Sequence, residues 1–188
     1  MKKGIGLGLL LLVIGGGAGV VFSGAFASFI QYSNTLGFCI SCHEMESTVY
    51  QEYKTTIHYK NPVGVRAVCS DCHVPHKSWI ETVIFKVGAT RELFYHMVGA
   101  IDTRAKFDAK RQELAEGVWA YLKASDSRTC RNCHSWKAMT LADQRKSIRV
   151  EHESAQKNGK TCIDCHKGIA HKTPWIKKEA APASFNLQ

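Results

Sequence analysis

A mostly α-helical chain is predicted: a single N-terminal transmembrane helix, then a domain packed around prosthetic groups and built from a duplicated two-site unit. Three observations carry this. An uncharged stretch from Gly4 to Ile30 is almost wholly apolar or small. A five-residue phrase, Cys-x-x-Cys-His, occurs four times further on. Strand signal is weak, and the four prolines, at 62, 75, 174 and 182, all fall in connections or the tail rather than inside helical candidates.

In chain order, the apolar run of about 27 residues is long enough to cross a hydrocarbon core of roughly 30 Å as a helix. It exceeds the apolar region of a signal peptide, typically about 7–15 residues. Ala25-Phe26-Ala27 resembles a cleavage site, but the run continues past it, so residues 1–30 are expected to remain as a signal anchor. Lys2 and Lys3 keep the N-terminus in the cytoplasm and send residues 31–176 to the opposite side. Gly15, Gly19, Ser23 and Ala27 recur every four residues, a face that would let a second helix approach, so a homodimer is one reading of it. After the anchor, Glu44 to Tyr53, Ser78 to Ile101, Ala105 to Ala124 and Trp136 to Lys157 are the helical candidates. Residues 177–188 mix Ala, Pro and polar side chains and are expected to form a flexible tail.

The repeated phrases are Cys39-Ile-Ser-Cys42-His43, Cys69-Ser-Asp-Cys72-His73, Cys130-Arg-Asn-Cys133-His134 and Cys162-Ile-Asp-Cys165-His166. Each is the signature of c-type haem attachment, in which two thiols become thioethers and the histidine ligates iron. They consume all eight cysteines, so no thiol remains for a disulfide or a nucleophile. Paired Cys-x-x-Cys units also suit a tetrahedral zinc site, but zinc leaves unexplained why a histidine follows every pair. Four covalently bound c-type haems are therefore expected, one per motif.

Size and charge agree with this. Beyond the anchor, roughly forty residues per haem are too few for a conventional apolar core, so the porphyrins should be the core. The net charge of +9 and a pI near 9.2 would ordinarily suggest an acidic partner. Two propionates per haem, on the order of eight negative charges, largely cancel it, and nucleic-acid binding is not supported.

The motifs also reveal a repeat. The first half reads motif, fourteen residues, His58, ten residues, motif, two residues, His76; the second reads motif, seventeen residues, His152, nine residues, motif, four residues, His171. Two dihaem units, about 37–77 and 128–172, are expected, joined by a helical connector. His73, His134 and His166 are the expected proximal ligands of their haems. By the repeat, His58, His152, His171 and His76 are candidate distal ligands, and their assignment to individual haems stays open. His96 has no counterpart in the repeat and is expected to be structural. Tyr50, Tyr53, Phe85, Phe94, Trp119 and Tyr121 are expected on porphyrin faces or in helix contacts.

The motifs with their flanks, including Cys42-His43-Glu44-Met45, Thr48-Val-Tyr-Gln-Glu-Tyr53, Asp71-Cys72-His73-Val-Pro-His76 and Thr161 to His171, resemble the NapC/NirT family of membrane-anchored tetrahaem cytochromes c, closest to its NapC type. The resemblance runs from the anchor to about Pro174. It implies a single-pass protein of the bacterial inner membrane with its soluble domain in the periplasm. It also implies a quinol dehydrogenase that passes electrons from menaquinol or ubiquinol through its haems to a periplasmic reductase, with nitrate reductase favoured. Lys86 and Glu92 match a lysine and an acidic residue near the family's quinol-binding haem, which gives them a proton-handling role. At the first motif, counting alone gives His43 a distal histidine and makes every haem bis-histidine. The resemblance instead implies Met45 as the proximal ligand, with the opposite face open and one haem high-spin.

The rival reading is a passive multihaem electron carrier that never touches quinol. A haem-based sensor would need an output domain, for which the sequence offers no candidate segment. N-terminal sequencing of the mature protein checks the anchor: a first residue near Met1 on membrane-bound protein is expected, whereas Ser28 on soluble protein would identify a cleaved signal peptide.

Overall fold

Residues 2–174 are described by a computed structural model of the chain; the tail expected at 177–188 lies outside the described residues. The first helix, α1 (Lys2–Tyr32), spans 31 residues. Its stretch Gly6–Tyr32, with a mean hydropathy of 2.2, is long and apolar enough to cross a membrane, and none of its most apolar part is buried in the protein. Such exposure of Leu, Val and Phe is unfavourable in water and favourable in hydrocarbon, which fits single-pass anchoring. The helix stops where hydroxyls compete for its last carbonyls: Ser33 Oγ donates to Ile30 O at 2.8 Å and Thr35 Oγ1 to Tyr32 O at 2.8 Å. Thr35 Oγ1 also accepts from Phe38 N at 3.2 Å, capping α2 (Leu36–Cys39), which delivers the first motif.

The rest is a run of short helices without a strand among the described residues. The predicted Glu44–Tyr53 helix is two, α3 (His43–Ser47) and α4 (Val49–Tyr53). Between them the buried Thr48 sits at φ −116°, ψ −92°, and its hydroxyl donates back to Glu44 O. After α5 (Cys69–His73), the predicted Ser78–Ile101 helix is also two, α6 (Trp79–Gly88) and α7 (Thr90–Met97), kinked at Ala89. Ser78 caps α6 by accepting from Glu81 N at 3.1 Å. The 21-residue α8 (Arg104–Ala124), capped by Thr103, matches its sequence expectation within a residue. α9 (Arg128–Arg131) carries the third motif, and α11 (Cys162–Cys165) the fourth. Only the second part of Trp136–Lys157 is α-helical, as α10 (Lys146–Lys157) behind a 3-10 turn at Leu141–Asp143. The earlier part folds back instead, because Trp136 lies edge-on to His152 with ring centres 5.6 Å apart.

Apolar burial among the described residues is thin: Ile30, Tyr53, Val74, Phe107, Leu122 and Ile163. Polar contacts carry long-range closure. Arg111 donates twice to the buried Glu52, at 2.8 and 2.5 Å, and also to Lys172 O at 2.6 Å. Lys172 N completes the knot by donating to Glu52 Oε2 at 2.9 Å across 120 residues of chain. Burial pushes the Glu52 carboxyl up, but Arg111 and the Lys172 amide outweigh it and hold the group below its ordinary value.

Because the folded pKa is depressed, this contribution is complete above the ordinary carboxylate value and is lost as pH falls through the folded one. Glu52→Ala strands a nearly buried guanidinium and is expected to destabilise the fold by about 3 kcal/mol at pH 7. Urea midpoints of wild type and variant should therefore differ widely at pH 7 and converge towards pH 3.

Candidate metal centres

The four motifs lie in sequence order along the domain. α2 packs against α5, and the Cys39 and Cys69 thiols meet. The hydrogen bond from Cys69, opposed by burial, lowers the Cys39 thiol to about 7 and raises its partner. α5 packs in turn against α9, where Cys72 neighbours Cys130 and Cys133, and Cys130 neighbours Cys162. Motifs two and four share a local device. Asp71 Oδ2 accepts from Val68 N at 2.7 Å, and Asp164 Oδ2 from Thr161 N at 2.9 Å, so the second variable position fixes the helical turn that presents both cysteines.

Three of the candidate distal histidines each face a motif histidine. Ring centres are 6.1 Å apart for His58 and His134, 6.2 Å for His73 and His171, and 6.0 Å for His152 and His166. An imidazole nitrogen sits about 2 Å from a bound metal and about 1 Å from its own ring centre, so two rings sharing one iron have centres about 6 Å apart. The residues fit a haem iron at each pair.

Ring orientation and charge agree with the spacing. His152 Nδ1 donates to Gln144 Oε1 at 2.7 Å, which leaves Nε2 with its lone pair. The Nδ1 atoms of His58 and His171 lie buried beside the backbone of Ile169 and Val49 without a full hydrogen bond. Burial lowers the pKa of both rings. His73 keeps accessible surface although chain surrounds it, and desolvation, then His171, lowers it to about 4. Neutral imidazole is the form that binds metal.

Nearby residues in sequence hold two of these rings in place. The Tyr53 hydroxyl donates to His58 O at 3.0 Å and to Ala67 O, and burial pushes its pKa up to about 12, so it stays a donor. Gly168, at φ +78°, turns the chain towards His171, and a Cβ there would meet Thr173 Cγ2 at 2.9 Å.

The remaining candidates are placed differently. His76 Nε2 lies 3.0 Å from Ser70 O and is engaged with backbone rather than with a motif histidine. Met45 is half-buried on α3, two residues beyond His43, so the helix directs the two side chains to different faces. Lys86 Nζ donates to Ser33 O at 2.8 Å, at the exit of α1. Burial lowers its pKa, opposed by the nearby Cys39, which puts the amine beside the first motif. Glu92 stands exposed and pairs with Arg91 at 3.0 Å.

Two residues of the first centre escaped the sequence reading. Glu44 is 3% exposed, and its Oε1 lies 2.6 Å from His96 Nδ1. The His96 ring centre is 6.2 Å from that of His43. The available signal was an acid directly after a motif histidine, together with a fifth histidine outside the motifs.

A protein-family model described as the NapC/NirT cytochrome c family, N-terminal region, matches residues 2–176. The chain belongs to the NapC/NirT cytochrome c family. It is 52% identical over 164 residues to the denitrification system component NirT of Stutzerimonas stutzeri, covering 87% of this chain and 81% of that one. It is 49% identical over 174 residues to the cytochrome c-type protein NapC of Escherichia coli strain K12, covering 93% and 86%. A protein of Allochromatium vinosum, named as a tetraheme cytochrome-c type, is 47% identical over 175 residues, covering 93% and 92%. No solved structure matches the chain significantly. As a NapC/NirT cytochrome, the chain is a carrier of electrons on c-type haem, and its histidine pairs fit that cofactor.

Replacing His58, His152 or His171 by Ala should each convert one low-spin haem to high spin while haem content is unchanged, because attachment resides in the thioethers. Electron paramagnetic resonance beside a haem assay reads both.

Proposed function

We propose that this cytochrome is a membrane-anchored quinol dehydrogenase: residues 1–30 form the anchor, and residues 31–176 form a periplasmic domain with four covalent haems that carry electrons to a reductase. The carrying observation is Lys86, which joins the exit of α1 to the first motif and so sets a half-buried amine where a lipid-soluble quinol would arrive. The neighbouring surface suits that location. Trp79, Ile80, Ile84 and Val87 on α6 and Leu93 on α7 are all exposed, and Trp79 meets Phe26 of α1 edge-on at 6.1 Å. Apolar side chains continuous with a membrane helix are accommodated at the hydrocarbon boundary.

Quinol oxidation releases two protons with two electrons. Haem supplies the one-electron redox chemistry that side chains lack. Lys86, held by burial below its ordinary pKa, supplies the proton chemistry: it offers a lone pair to a quinol hydroxyl more readily than a solvated lysine would. The shared aspartate turn of motifs two and four supports dihaem units at about 37–77 and 128–172 arising from one duplicated ancestor. For the acceptor we favour a nitrate reductase, on the NapC resemblance; the NirT relative is named for denitrification. The second reading is a passive carrier, favoured by Glu92 standing exposed and paired with its neighbour Arg91.

Denatured protein should keep its haem colour and exceed the 20.9 kDa polypeptide by about four haems. In detergent, without oxygen, menaquinol or ubiquinol analogues should reduce the haems. Lys86→Ala should slow this on the order of 10²-fold with the spectrum unchanged, and Glu92→Ala should slow it less. No reduction by any quinol would leave the carrier reading standing.

A further inference from the structure

One face of α6 has no cover among the described residues. Thr82 Oγ1 donates to Pro75 O at 2.7 Å, and the Phe85 ring centre lies 5.7 Å from that of Tyr121, so these two side chains fix the roll of the helix. At about 100° per residue, Ile80, Ile84 and Val87 then line the opposite face. Ile80 is 69%, Ile84 67% and Val87 64% exposed. Beyond the kink, α7 adds Leu93 and Met97, one turn apart and also exposed. A stripe of this kind is unfavourable in water, and helices that carry one pack it against something.

Two contacts set the level of this face along α1. Trp79 meets Phe26 edge-on at 6.1 Å, and Lys86 Nζ donates to Ser33 O at 2.8 Å. Trp79 and Lys86 are seven residues apart on α6, hence on one side of it, and Phe26 and Ser33 are seven apart at the end of α1. The two helices therefore run side by side, in the same direction, over two turns or about 10 Å. That overlap coincides with the end of the apolar stretch Gly6–Tyr32. At about 1.5 Å per residue the stretch is roughly 40 Å long, more than the roughly 30 Å of a hydrocarbon core. α6 thus lies beside the part of α1 that passes from hydrocarbon into headgroups. A soluble partner would have to enter the bilayer to reach it, whereas acyl chains are already there. Trp79 is the kind of side chain favoured at that depth.

We propose that α6 is an interfacial membrane helix whose Ile80–Ile84–Val87 face lies against phospholipid acyl chains, so that the haem domain rests on the bilayer through α6 as well as through α1. Such helices bury their apolar side about 5–10 Å into the boundary between headgroups and acyl chains. A single spanning helix leaves a domain free to swing, whereas two lines of contact fix which side of it meets the lipid. Here that is the side of the first motif, which α2 delivers directly after α1. The inference rests on the anchor reading of residues 1–30 and is independent of quinol oxidation.

The experiment reconstitutes full-length holoprotein into phosphatidylcholine vesicles containing a trace of a phospholipid with a photoactivatable diazirine in its acyl chain. After irradiation, adducts are located by mass spectrometry of peptides. Wild type should carry adducts on α1 and on the Trp79–Gly88 segment and none on α8 or α10. Ile80→Glu together with Ile84→Glu should lose the α6 adducts while the α1 adducts and the haem content persist; both positions are exposed, so the fold does not depend on them. Labelled α1 with unlabelled α6 in wild type would overturn the proposal, and intermolecular cross-links through α6 in the same sample would assign the face to a second copy instead. Adducts on α6 undiminished in the double variant would overturn it as well. An unlabelled α1 would remove the anchor reading together with this one. Quinol plays no part in the measurement, so failure of the dehydrogenase reading leaves its outcome unaffected.

Discussion

Two imidazoles must face each other about 6 Å apart for one iron to join them, and most of the chain between the motifs serves that spacing. The motif histidines are delivered by turns too short to need support beyond their own hydrogen bonds, such as Asp71 to Val68 N and Asp164 to Thr161 N. Their partners come from elsewhere. His58 is held by the Tyr53 hydroxyl, His152 by Gln144 and the edge of Trp136, and His171 by the loop that Glu52 and Arg111 receive. With six buried apolar side chains among the described residues, the polypeptide alone has little else to fold around.

The pairing also binds the two halves together. His58 of the first half faces His134 of the second, while His171 of the second faces His73 of the first. His152 and His166 pair within one half. Each half of the chain lends a ring to a pair in the other, so neither has its full set of contacts alone. The strained residues Asp126 and Ser127, at φ +54° and +49°, stand at the same junction. Ser127 is wholly buried and accepts from Ile163 N at 3.1 Å, tying the approach to motif three to motif four.

What the sequence made legible was local. The anchor follows from an unbroken apolar run, the motifs from their spacing, and His58, His152 and His171 from the register of the repeat. What escaped depends on contacts between distant segments. Which ring meets which follows from how α5 packs on α9 and α11 on α8, and nothing near His58 in sequence indicates His134. Periodicity also missed the helix breaks, because the Thr48 hydroxyl turning on Glu44 O and the Trp136 ring turning on His152 are single side-chain events. Glu44 read as the residue that merely ended the uncharged stretch, and its burial became visible only with α7 laid beside it.

The contact between Lys172 and Glu52 has a consequence for assembly. A polypeptide is made from its N-terminus, so the second motif and its His73 emerge long before His171. Until the C-terminal loop arrives, that site lacks one of its two imidazoles. Glu52 and Arg111 both precede it in the chain and form the catch that holds Lys172, with His171 beside it in sequence. The ion pair thus works as a clasp, and a chain stopped a few residues short of it would lose both the Lys172 contacts and the ring that faces His73.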